Sequence, residues 1–453
     1  IYNKSEKLQI LNNISLEQYI RENNLTYQIE TYGCQMNVHD SEKLAGILEE
    51  LGYARCEDGE PDLILFNTCC VRDNAEKRVF GNVGALKRRC AKNKSLVVAV
   101  CGCMMQQEEV AKKLYDTFPF VKIVFGTGAM HRLPEMLYTT LILKKRNMDL
   151  AQEQTIIEDV PIHRSSPPLA SVSIMQGCNN FCTYCIVPYV RGRERSRKQS
   201  EIIDEVKRLI DSGYREIMLL GQNVNSYGGG RFPELLEAVA ETGIDRIRFM
   251  TSHPKDASDE LFRVMAKHGN ICKQLHLPVQ AGSDEILRRM NRRYTRDDYL
   301  AKVARARELM PEIALTTDIM IGFPGETEED FQDTMQLVRD VRYCAAYTFV
   351  YSPRAGTPAA SMPDQIPDDI KKSRITRLVS LQSELTYQDN LSRVGASERI
   401  LVEGRSTRGD GICGRTDGGR MVNLPGSTEL IGQFIDVIIT EARKTTLYAK
   451  IKN

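Results

Sequence analysis

The chain has 453 residues, of which 42% are hydrophobic and 27% are charged. This length exceeds one ordinary domain, so we expect two to four domains, and no apolar run is long enough to suggest a membrane span. The formal net charge of +1 excludes a chain-wide attraction to nucleic acid, so any such surface has to be local.

The 13 cysteines are an odd number, and several are clustered instead of spaced as in a disulfide-stapled domain. Clustered thiols are typical of metal binding in a reducing compartment. We therefore expect a cytoplasmic metal-binding protein. We also expect no signal peptide, because none is recognisable after Ile1.

The amino-terminal region is predicted to be an extension of residues 1–25 followed by an α/β domain of residues 26–143. Apolar runs predict three strands, at Tyr27–Thr31, Leu63–Phe66 and Leu96–Val100. Amphipathic helix patterns follow them, as at His39–Leu51. Strands that alternate with helices predict a parallel sheet.

A cysteine follows each of these three strands. Cys34 follows the first, Cys69 and Cys70 follow the second, and Cys101 and Cys103 lie at the end of the third. Because parallel strands present their carboxyl ends at one edge, three such thiolates can converge on one metal. The alternative is that these are ordinary buried thiols. Five other cysteines have no such placement, and we interpret them as core or surface thiols: Cys56, Cys90, Cys272, Cys344 and Cys413.

A polar linker is predicted over residues 144–167, and it ends in two serines and two prolines at 165–168. Shortly after it, Cys178, Cys182 and Cys185 have the spacing C-x3-C-x2-C. A cubane cluster normally takes four cysteine ligands, and a closed zinc site also takes four. Three thiolates leave one iron open for a small molecule. A zinc knuckle or a ferredoxin-like carrier with a distant fourth ligand is the alternative.

The region 168–387 is predicted to be a partial barrel of six βα units. Its first helix is predicted at Ser200–Ile210. Each strand runs into polar or glycine-rich residues, and the chemistry of parallel barrels lies at these carboxyl ends. The predicted strands are Ser171–Met175, Glu216–Leu220, Arg246–Met250, Gln274–Val279, Leu315–Ile321 and Ala345–Tyr351. His253 and His276 lie near strand ends, but structural histidines are common there and we assign them no role.

A run of basic residues directly follows the second cysteine motif and contains one acidic residue, Glu194. Its members are Arg191, Arg193, Arg195, Arg197 and Lys198. Such a cluster can neutralise RNA phosphates. The alternative is the solvated start of a helix.

The last region, residues 388–453, changes to short β-runs broken by glycines. These glycines are at positions 404, 409, 411, 414, 418 and 419. The pattern predicts a small β-barrel.

The second cysteine motif, with Phe181 and Tyr184 inside it, resembles that of the radical S-adenosylmethionine (SAM) superfamily. The resemblance implies that the open iron binds SAM and that reductive cleavage yields a 5′-deoxyadenosyl radical. Gln222 and Asn223 occupy the place of a Gly-Gly-Glu-like motif, and Gly322 to Glu326 resembles the adenine loop, although a plain βα turn has the same composition. The implied cofactor-binding residues are Tyr184, Gln222, Asn223, Ser252, Gln280, Gly322 and Phe323.

The amino-terminal motifs resemble those of the methylthiotransferase family. They are Thr31–Asn37, Asn67–Cys69 with Val71, Arg72, Ala75 and Glu76, and Gly102–Met104 with Gln106. By this resemblance Cys34, Cys69 and Cys103 bind an auxiliary 4Fe-4S cluster, and Cys178, Cys182 and Cys185 bind the radical-generating one. Cys70 departs from the serine or alanine that is common in relatives.

Gln35 and Met36 distinguish the branch of the family. They differ from the residues typical of enzymes that act on a ribosomal protein or on threonylcarbamoyladenosine. The chain resembles the branch that inserts a methylthio group at carbon 2 of N6-dimethylallyl (isopentenyl) adenosine 37 in the tRNA anticodon loop. The carboxyl-terminal barrel resembles the RNA-binding TRAM domain.

The resemblance implies two 4Fe-4S clusters and two SAM per turnover, one to methylate a cluster-associated sulfur and one to generate the radical. Catalytic groups beyond the cluster ligands are not expected. The expected partners are tRNA with a prenylated adenosine in its anticodon stem-loop and an electron donor of the flavodoxin or ferredoxin type, with no membrane and a monomeric state. The alternatives are a sister methylthiotransferase or a non-catalytic iron-sulfur RNA-binding protein.

Overall fold

The computed structural model describes residues 15–70, 75–151, 162–164, 167–407, 409 and 411–452. The predicted extension and linker therefore lie partly outside the described residues. Val71 and Arg72 lie wholly outside them. The chain divides into two units. The first comprises residues 1–165, 176–178 and 186–194, and the second comprises residues 166–175, 179–185 and 195–453.

The first unit contains a parallel sheet of six strands. They are β1 (Thr26–Thr31), β2 (Ala54–Arg55), β3 (Leu63–Thr68), β4 (Val97–Gly102), β5 (Val121–Phe125) and β6 (Asn147–Asp149). The strand order is β2-β1-β3-β4-β5-β6. The three predicted strands are confirmed as β1, β3 and β4, and they are neighbours in the sheet.

Helices cover both faces of this sheet. They are α1 (15–22), α2 (Gln35–Glu50), α3 (Ala75–Ala85), α4 (Lys87–Lys92), α5 (Glu108–Thr117), α6 (Leu133–Leu141) and α7 (Val187–Arg191), with a 3-10 turn at Thr127–Arg132. Every residue of β3 is buried, and Leu63 and Ile64 belong to different hydrophobic clusters. A parallel sheet covered on both faces needs such unbroken apolar strands, which is why β3 and β4 were predictable.

The second unit contains the predicted partial barrel. Its strands are β7 (Leu169–Ser173), β10 (Glu216–Leu220), β11 (Arg246–Phe249), β12 (Gln274–His276), β13 (Ala314–Ile321) and β14 (Ala345–Val350), and the short β8 (Met175–Gln176) and β9 (Arg195–Ser196) come between the first two. Two parallel sheets, β11-β10-β7 and β12-β13-β14, are joined by a bridge between Ile247 and Ile271. The six-unit partial barrel is therefore confirmed.

Seven helices lie within the described residues of the second unit. They are α8 (Gln199–Asp211), α9 (Phe232–Ala240), α10 (Asp259–Lys267), α11 (Asp284–Arg289), α12 (Arg296–Leu309), α13 (Glu328–Val341) and α14 (Asp368–Leu391), with 3-10 turns at Val224–Gly229, Pro254–Asp256 and Pro358–Ser361. Capping boxes at Thr295 and Thr327 start α12 and α13. No helix in the described ranges is both long and apolar enough to cross a membrane.

The predicted carboxyl-terminal β-barrel is confirmed. It consists of β15 (Ser397–Arg405), β16 (Ile412–Thr416), β17 (Met421–Leu424), β18 (Phe434–Ala442) and β19 (Leu447–Ile451), with a 3-10 turn at Thr428–Leu430. The closed order is β15-β16-β17-β19-β18. A side chain at Gly414 would place its Cβ 2.1 Å from the Leu401 carbonyl oxygen, so the close approach of β15 and β16 requires glycine there.

Buried arginines at the amino-terminal end of the partial barrel hold this small barrel. Arg248 donates to the carbonyls of Thr416 (2.7 Å) and Asp417 (2.9 Å) and to Glu216 (2.9 Å). Arg246 donates to the Arg415 carbonyl at 2.9 Å. These contacts close the amino-terminal end of the barrel and leave the carboxyl ends of its strands for chemistry.

Candidate metal centres

Three thiols of the first unit lie at one edge of its sheet. Cys34 is the N-cap residue of α2, just after β1, whereas Cys69 directly follows β3 and Cys103 directly follows β4. Because β1, β3 and β4 are parallel neighbours, their carboxyl ends share an edge. The predicted placement of these cysteines is confirmed.

Two glycines allow the loops to approach each other. Gly33 has φ +128°, and a Cβ added there would lie 2.4 Å from Cβ of Cys69. Gly102 has φ +100°, and its added Cβ would lie 2.4 Å from the Thr68 carbonyl oxygen. Both positions combine a left-handed backbone with a close contact, so only glycine fits at either position.

Buried amides tie the loops together. The Asn37 amide donates to the Thr68 carbonyl at 3.0 Å, and the Asn67 amide donates to the Asn37 carbonyl at 2.8 Å and to the Ser41 hydroxyl at 2.9 Å. Both asparagines are completely buried. The loop after β3 and the first turn of α2 are thereby held together.

The thiols interact in pairs. The pKa of the Cys34 thiol is lowered to about 6 by a hydrogen bond from Cys69, by the charge of Arg191 and by backbone N–H groups of α2. A hydrogen bond to Cys103, together with burial, raises the pKa of Cys70, whereas the same bond and Arg191 lower the pKa of Cys103. The hydrogen bond and Arg191 thus favour the thiolate of Cys103 over that of Cys70, the direction that a metal-ligand role of Cys103 requires.

Arg191, at the end of α7, is part of this centre. Its Nε donates to Sγ of Cys103 at 3.1 Å, and its Nη2 donates to Oδ2 of Asp40 at 2.6 Å. Only 5% of Arg191 is exposed. The prediction that Arg191 contacts RNA phosphates is therefore wrong, because its guanidinium is buried between a carboxylate and a thiol.

The second cysteine motif crosses the boundary between the two units, so each part is described separately. In the first unit Cys178 is buried, and its N–H donates to the Gly192 carbonyl at 3.1 Å. Gly177 has φ +79°, and an added Cβ would lie 2.0 Å from the Arg193 carbonyl oxygen. The glycine that opens the motif is therefore required by the backbone.

In the second unit Cys182 and Cys185 lie on a loop fixed by the segment after α11. The Thr183 N–H donates to the Met290 carbonyl at 3.1 Å, and the Asn291 amide donates to the Phe181 carbonyl at 3.0 Å. The Cys185 N–H donates to the Cys182 carbonyl at 2.9 Å. This network holds the backbone of the loop that carries the two thiols.

Arg292 adjoins this loop. It donates to Sγ of Cys182 (3.3 Å), to the hydroxyls of Tyr184 (3.4 Å) and Tyr294 (2.9 Å), and to the Pro278 carbonyl (2.7 Å). It is 4% exposed, and no carboxylate within the described ranges pairs with it. Sequence reasoning missed both Arg292 and Asp40, because neither occurs in a local pattern that sets it apart from other charged residues.

No three or more His, Cys, Asp or Glu side chains among the described residues are already arranged as a metal site. The chemistry of the donors nevertheless fits iron-sulfur clusters, which cysteine thiolates bind. Each set includes a buried thiol that accepts a hydrogen bond from a buried arginine. A low-dielectric site with a cation beside a thiolate stabilises an anionic metal centre.

The predicted cofactor residues lie at the carboxyl ends of the barrel strands, but several are already engaged. The Asn223 amide oxygen accepts the His253 N–H at 3.1 Å, and its amide donates to Asp256 at 2.7 Å. The Ser252 hydroxyl donates to Asn225, and the backbone of Gln280 pairs with β13. A cofactor amine at Asn223 would have to share the oxygen with His253. Gln222 is half-buried beside it.

The loop after β13 is organised by Glu326. Its carboxylate accepts the Gly322 N–H at 3.0 Å and Nη1 of Arg374 at 2.7 Å, yet burial raises the pKa of Glu326 to about 7. Phe323 is fully buried and its ring packs edge-on against Tyr351 at 5.4 Å between centroids. Any contact between Phe323 and the cofactor would therefore involve the backbone of Phe323 and not its ring.

The remaining basic residues differ in exposure. Arg197 donates to Glu205 and to the Ser173 carbonyl, both at 2.7 Å, and its side chain is buried, so the prediction that it contacts RNA is wrong. Lys198 is exposed and pairs with Glu201. Arg193 is exposed and Arg195 is half-buried. The prediction that basic residues of this run contact RNA therefore remains for Arg193, Arg195 and Lys198.

Comparison with protein families gives three matches along the chain. The uncharacterized protein family UPF0004 matches residues 26–126, the radical SAM superfamily matches residues 172–338, and the TRAM domain matches residues 391–452. A solved structure of the radical S-adenosylmethionine methyltransferase TsrM from Kitasatospora setae, with cobalamin and a 4Fe-4S cluster bound, has a TM-score of 0.56 at 15% identity and covers 74% of this chain and 77% of that one. At that identity it supports the fold alone.

Two curated relatives are much more similar. A tRNA-2-methylthio-N(6)-dimethylallyladenosine synthase from Caldicellulosiruptor saccharolyticus is 50% identical, covering 99% of this chain and 97% of its own. A synthase of the same name from Clostridium botulinum (strain Okra / Type B1) is 50% identical, covering 92% of this chain and 95% of its own. On this near full-length identity and three domain matches, the chain belongs to the family of tRNA-2-methylthio-N(6)-dimethylallyladenosine synthases.

Proposed function

We propose that the chain inserts a methylthio group at carbon 2 of N6-dimethylallyladenosine 37 in the tRNA anticodon loop. The observation that carries this proposal is 50% identity over 99% of the chain to a synthase named for that product. Two separate sets of thiols, one at a sheet edge and one on the loop after β7, would provide the ligands for the two clusters that the reaction needs.

Two 4Fe-4S clusters and SAM are the cofactors. Cys34, Cys69 and Cys103 would hold one cluster, and Cys178, Cys182 and Cys185 the other, with one iron left open for SAM. When bound, these groups supply a 5′-deoxyadenosyl radical and a methylated sulfur. Carbon 2 of adenine has no good leaving group and is a poor nucleophile, which is why the reaction requires a radical route.

The protein residues hold and shield these groups. Gly33 and Gly102 let the cluster-binding loops close, and the buried amides of Asn37 and Asn67 fix them. In the second unit, the Thr183 and Asn291 contacts keep the loop of Cys182 and Cys185 in place. Cysteine ligands that are already held in place have to move less when a cluster binds or takes up an electron.

The substrate is a tRNA, and the TRAM domain together with Arg193, Arg195 and Lys198 is proposed to bind its phosphates. The target adenosine would be extruded from its stack to reach the barrel. An electron donor of the flavodoxin or ferredoxin type, a monomeric state and a cytoplasmic location complete the proposal.

A single-turnover assay tests the substrate. Anaerobically reconstituted protein is incubated with SAM, a chemical reductant such as dithionite, and anticodon stem-loops that carry either N6-dimethylallyladenosine or plain adenosine, and nucleosides are analysed by mass spectrometry. We expect the prenylated loop to react much faster, because an apolar pocket would fix carbon 2 near the radical. Equal rates would contradict the proposal. Activity only on a threonylcarbamoylated loop or a ribosomal protein would transfer the chain to a sister branch.

A further inference from the structure

Each set of predicted cluster cysteines has one buried arginine that donates a hydrogen bond to one of its thiols. In the first unit Nε of Arg191 lies 3.1 Å from Sγ of Cys103. In the second unit Nη1 of Arg292 lies 3.3 Å from Sγ of Cys182. Both arginines are at most 5% exposed. The two contacts are independent observations, because they lie in different units.

The charges of the two arginines are balanced differently. Arg191 pairs with Asp40 at 2.6 Å, and that carboxylate is itself buried. The partners of Arg292 are neutral, namely two tyrosine hydroxyls and a backbone carbonyl, apart from the Cys182 thiol. A buried cation without a counter-charge is costly. Arg292 therefore requires an anion on the side that faces Cys182.

The position of Arg292 is set independently of any cluster. Its Nη2 donates to the Pro278 carbonyl at 2.7 Å, and its Nε donates to the Tyr294 hydroxyl at 2.9 Å. The Tyr294 hydroxyl in turn donates to the Val279 carbonyl at 2.8 Å. The guanidinium is thus held by the segment after β12 and directs a donor at the thiol.

We propose that Arg292 and Arg191 are positioning residues that set the reduction potentials of the two clusters. Reduction adds negative charge, so an N–H···S hydrogen bond and a nearby cation stabilise the reduced cluster more than the oxidised one and raise the potential. Arg292 acts with its full charge on the cluster at Cys178, Cys182 and Cys185. Arg191 acts on the auxiliary cluster mainly through its hydrogen bond, because Asp40 neutralises it. This inference rests on the cluster assignment of the proposed function.

The test is a redox titration followed by electron paramagnetic resonance, on full-length protein that carries one cluster at a time. One background replaces Cys34, Cys69 and Cys103 by Ala, and the other replaces Cys178, Cys182 and Cys185 by Ala. In the first background, Arg292→Gln should lower the midpoint potential, and Arg292→Lys should lower it less because the charge remains. Arg191→Gln should leave that potential unchanged. In the second background, Arg191→Gln combined with Asp40→Asn, which removes the whole ion pair, should lower the potential by a smaller amount, and Arg292→Gln should not lower it.

Iron content, measured on every variant, separates the possible failures. A background protein without iron would overturn the cluster assignment and this inference together. An Arg292→Gln protein that keeps its cluster at an unchanged potential would overturn the inference alone. If Arg292→Gln cannot retain iron, Tyr294→Phe provides the measurement, because it removes one anchor of the guanidinium but keeps the arginine. Its potential should shift in the same direction, and an unchanged value would overturn the inference.

Discussion

At the scale of single residues, the structure separates thiols that look equivalent in the sequence. Cys69 and Cys70 are adjacent, yet Cys69 donates a hydrogen bond to Cys34 and Cys70 donates one to Cys103. The hydrogen bond to Cys103 and burial raise the pKa of Cys70. Because Cys69 is likewise a donor, to Cys34, the choice of Cys69 as the ligand rests on the family resemblance, and we expect Cys70 to act as a hydrogen-bond donor to Cys103.

This separation predicts opposite outcomes for two neighbouring substitutions. Cys70→Ser keeps a hydroxyl donor beside Cys103, so the protein should retain about eight irons per chain, the number expected for two cubane clusters. Cys69→Ser should lose about four of them. Iron analysis and absorption spectra of the two reconstituted variants make the comparison. Iron loss in both variants to the same extent would show that the cluster requires both thiols and would contradict this separation.

Glu326 gives the fold of the barrel a pH dependence. Burial raises its folded-state pKa from 4.5 to about 7 despite Arg374. The protonated form is therefore favoured by folding, so its stabilising contribution is complete below pH 4.5 and is lost as the pH rises through 7.

We expect the Glu326→Gln substitution to remove this dependence. The difference in free energy of unfolding between variant and parent should change by about 3 kcal/mol between pH 5 and pH 8, in favour of the variant at high pH. Urea unfolding of the metal-free proteins at the two pH values measures it. Glu328→Gln, at an exposed carboxylate, is the matched control and should show no such trend. A pH-independent difference for Glu326→Gln would refute the raised pKa.

At the scale of elements, the sequence predicted those parts whose pattern is local. Strands β3 and β4 contain continuous apolar runs, and both occur where expected. The bounds of helix α14, which follows the sixth strand, were not predicted, because its buried positions include Lys371, Arg374 and Gln382 and thus show no apolar stripe. Strand β2 has only two residues, too few for a periodicity.

The same distinction applies to the site. The strand-end cysteines could be predicted because each one follows a predicted strand and parallel strands share an edge. The contacts Arg191–Cys103 and Arg292–Cys182 join residues 88 and 110 positions apart, and no local pattern specifies such pairs. The basic run at residues 191–198 misled the prediction, because the sequence does not reveal which of its arginines are buried.

The loop before α2 provides a test at this scale. Gly33→Ala should place a Cβ against Cys69 at a left-handed backbone position, and we expect about half of the iron to be lost while SAM cleavage persists. Gly59→Ala is the matched control, because Gly59 also has positive φ (+97°) but has no atom within 4 Å of its added Cβ. Both variants carry the backbone strain, of about 1–3 kcal/mol, and only the first carries the clash. Equal iron content in the two variants would exclude close packing of the loops as a requirement for the cluster.

At the scale of the whole molecule, the TRAM domain is more than a tethered RNA-binding module. Within the second unit its carbonyls accept hydrogen bonds from Arg246 and Arg248 of the partial barrel, and Arg246 also lies over the ring of Phe434 at 4.7 Å. Both arginines share the buried Glu216. Removing the TRAM domain would take away the carbonyl partners of both arginines and expose the amino-terminal end of the barrel to water.

Truncation after Asn390 should therefore impair the barrel as well as tRNA binding, and point substitutions are needed to separate the two effects. Arg248→Ala breaks the buried contacts with Glu216, Thr416 and Asp417, and we expect it to destabilise the protein by about 3–5 kcal/mol. Arg443→Ala, at an exposed arginine of the TRAM domain, should change stability by less than about 0.5 kcal/mol. Urea unfolding measures both. If the truncated protein cleaved SAM and unfolded like the full chain, these arginines would have no structural role, and the TRAM domain would serve RNA binding alone.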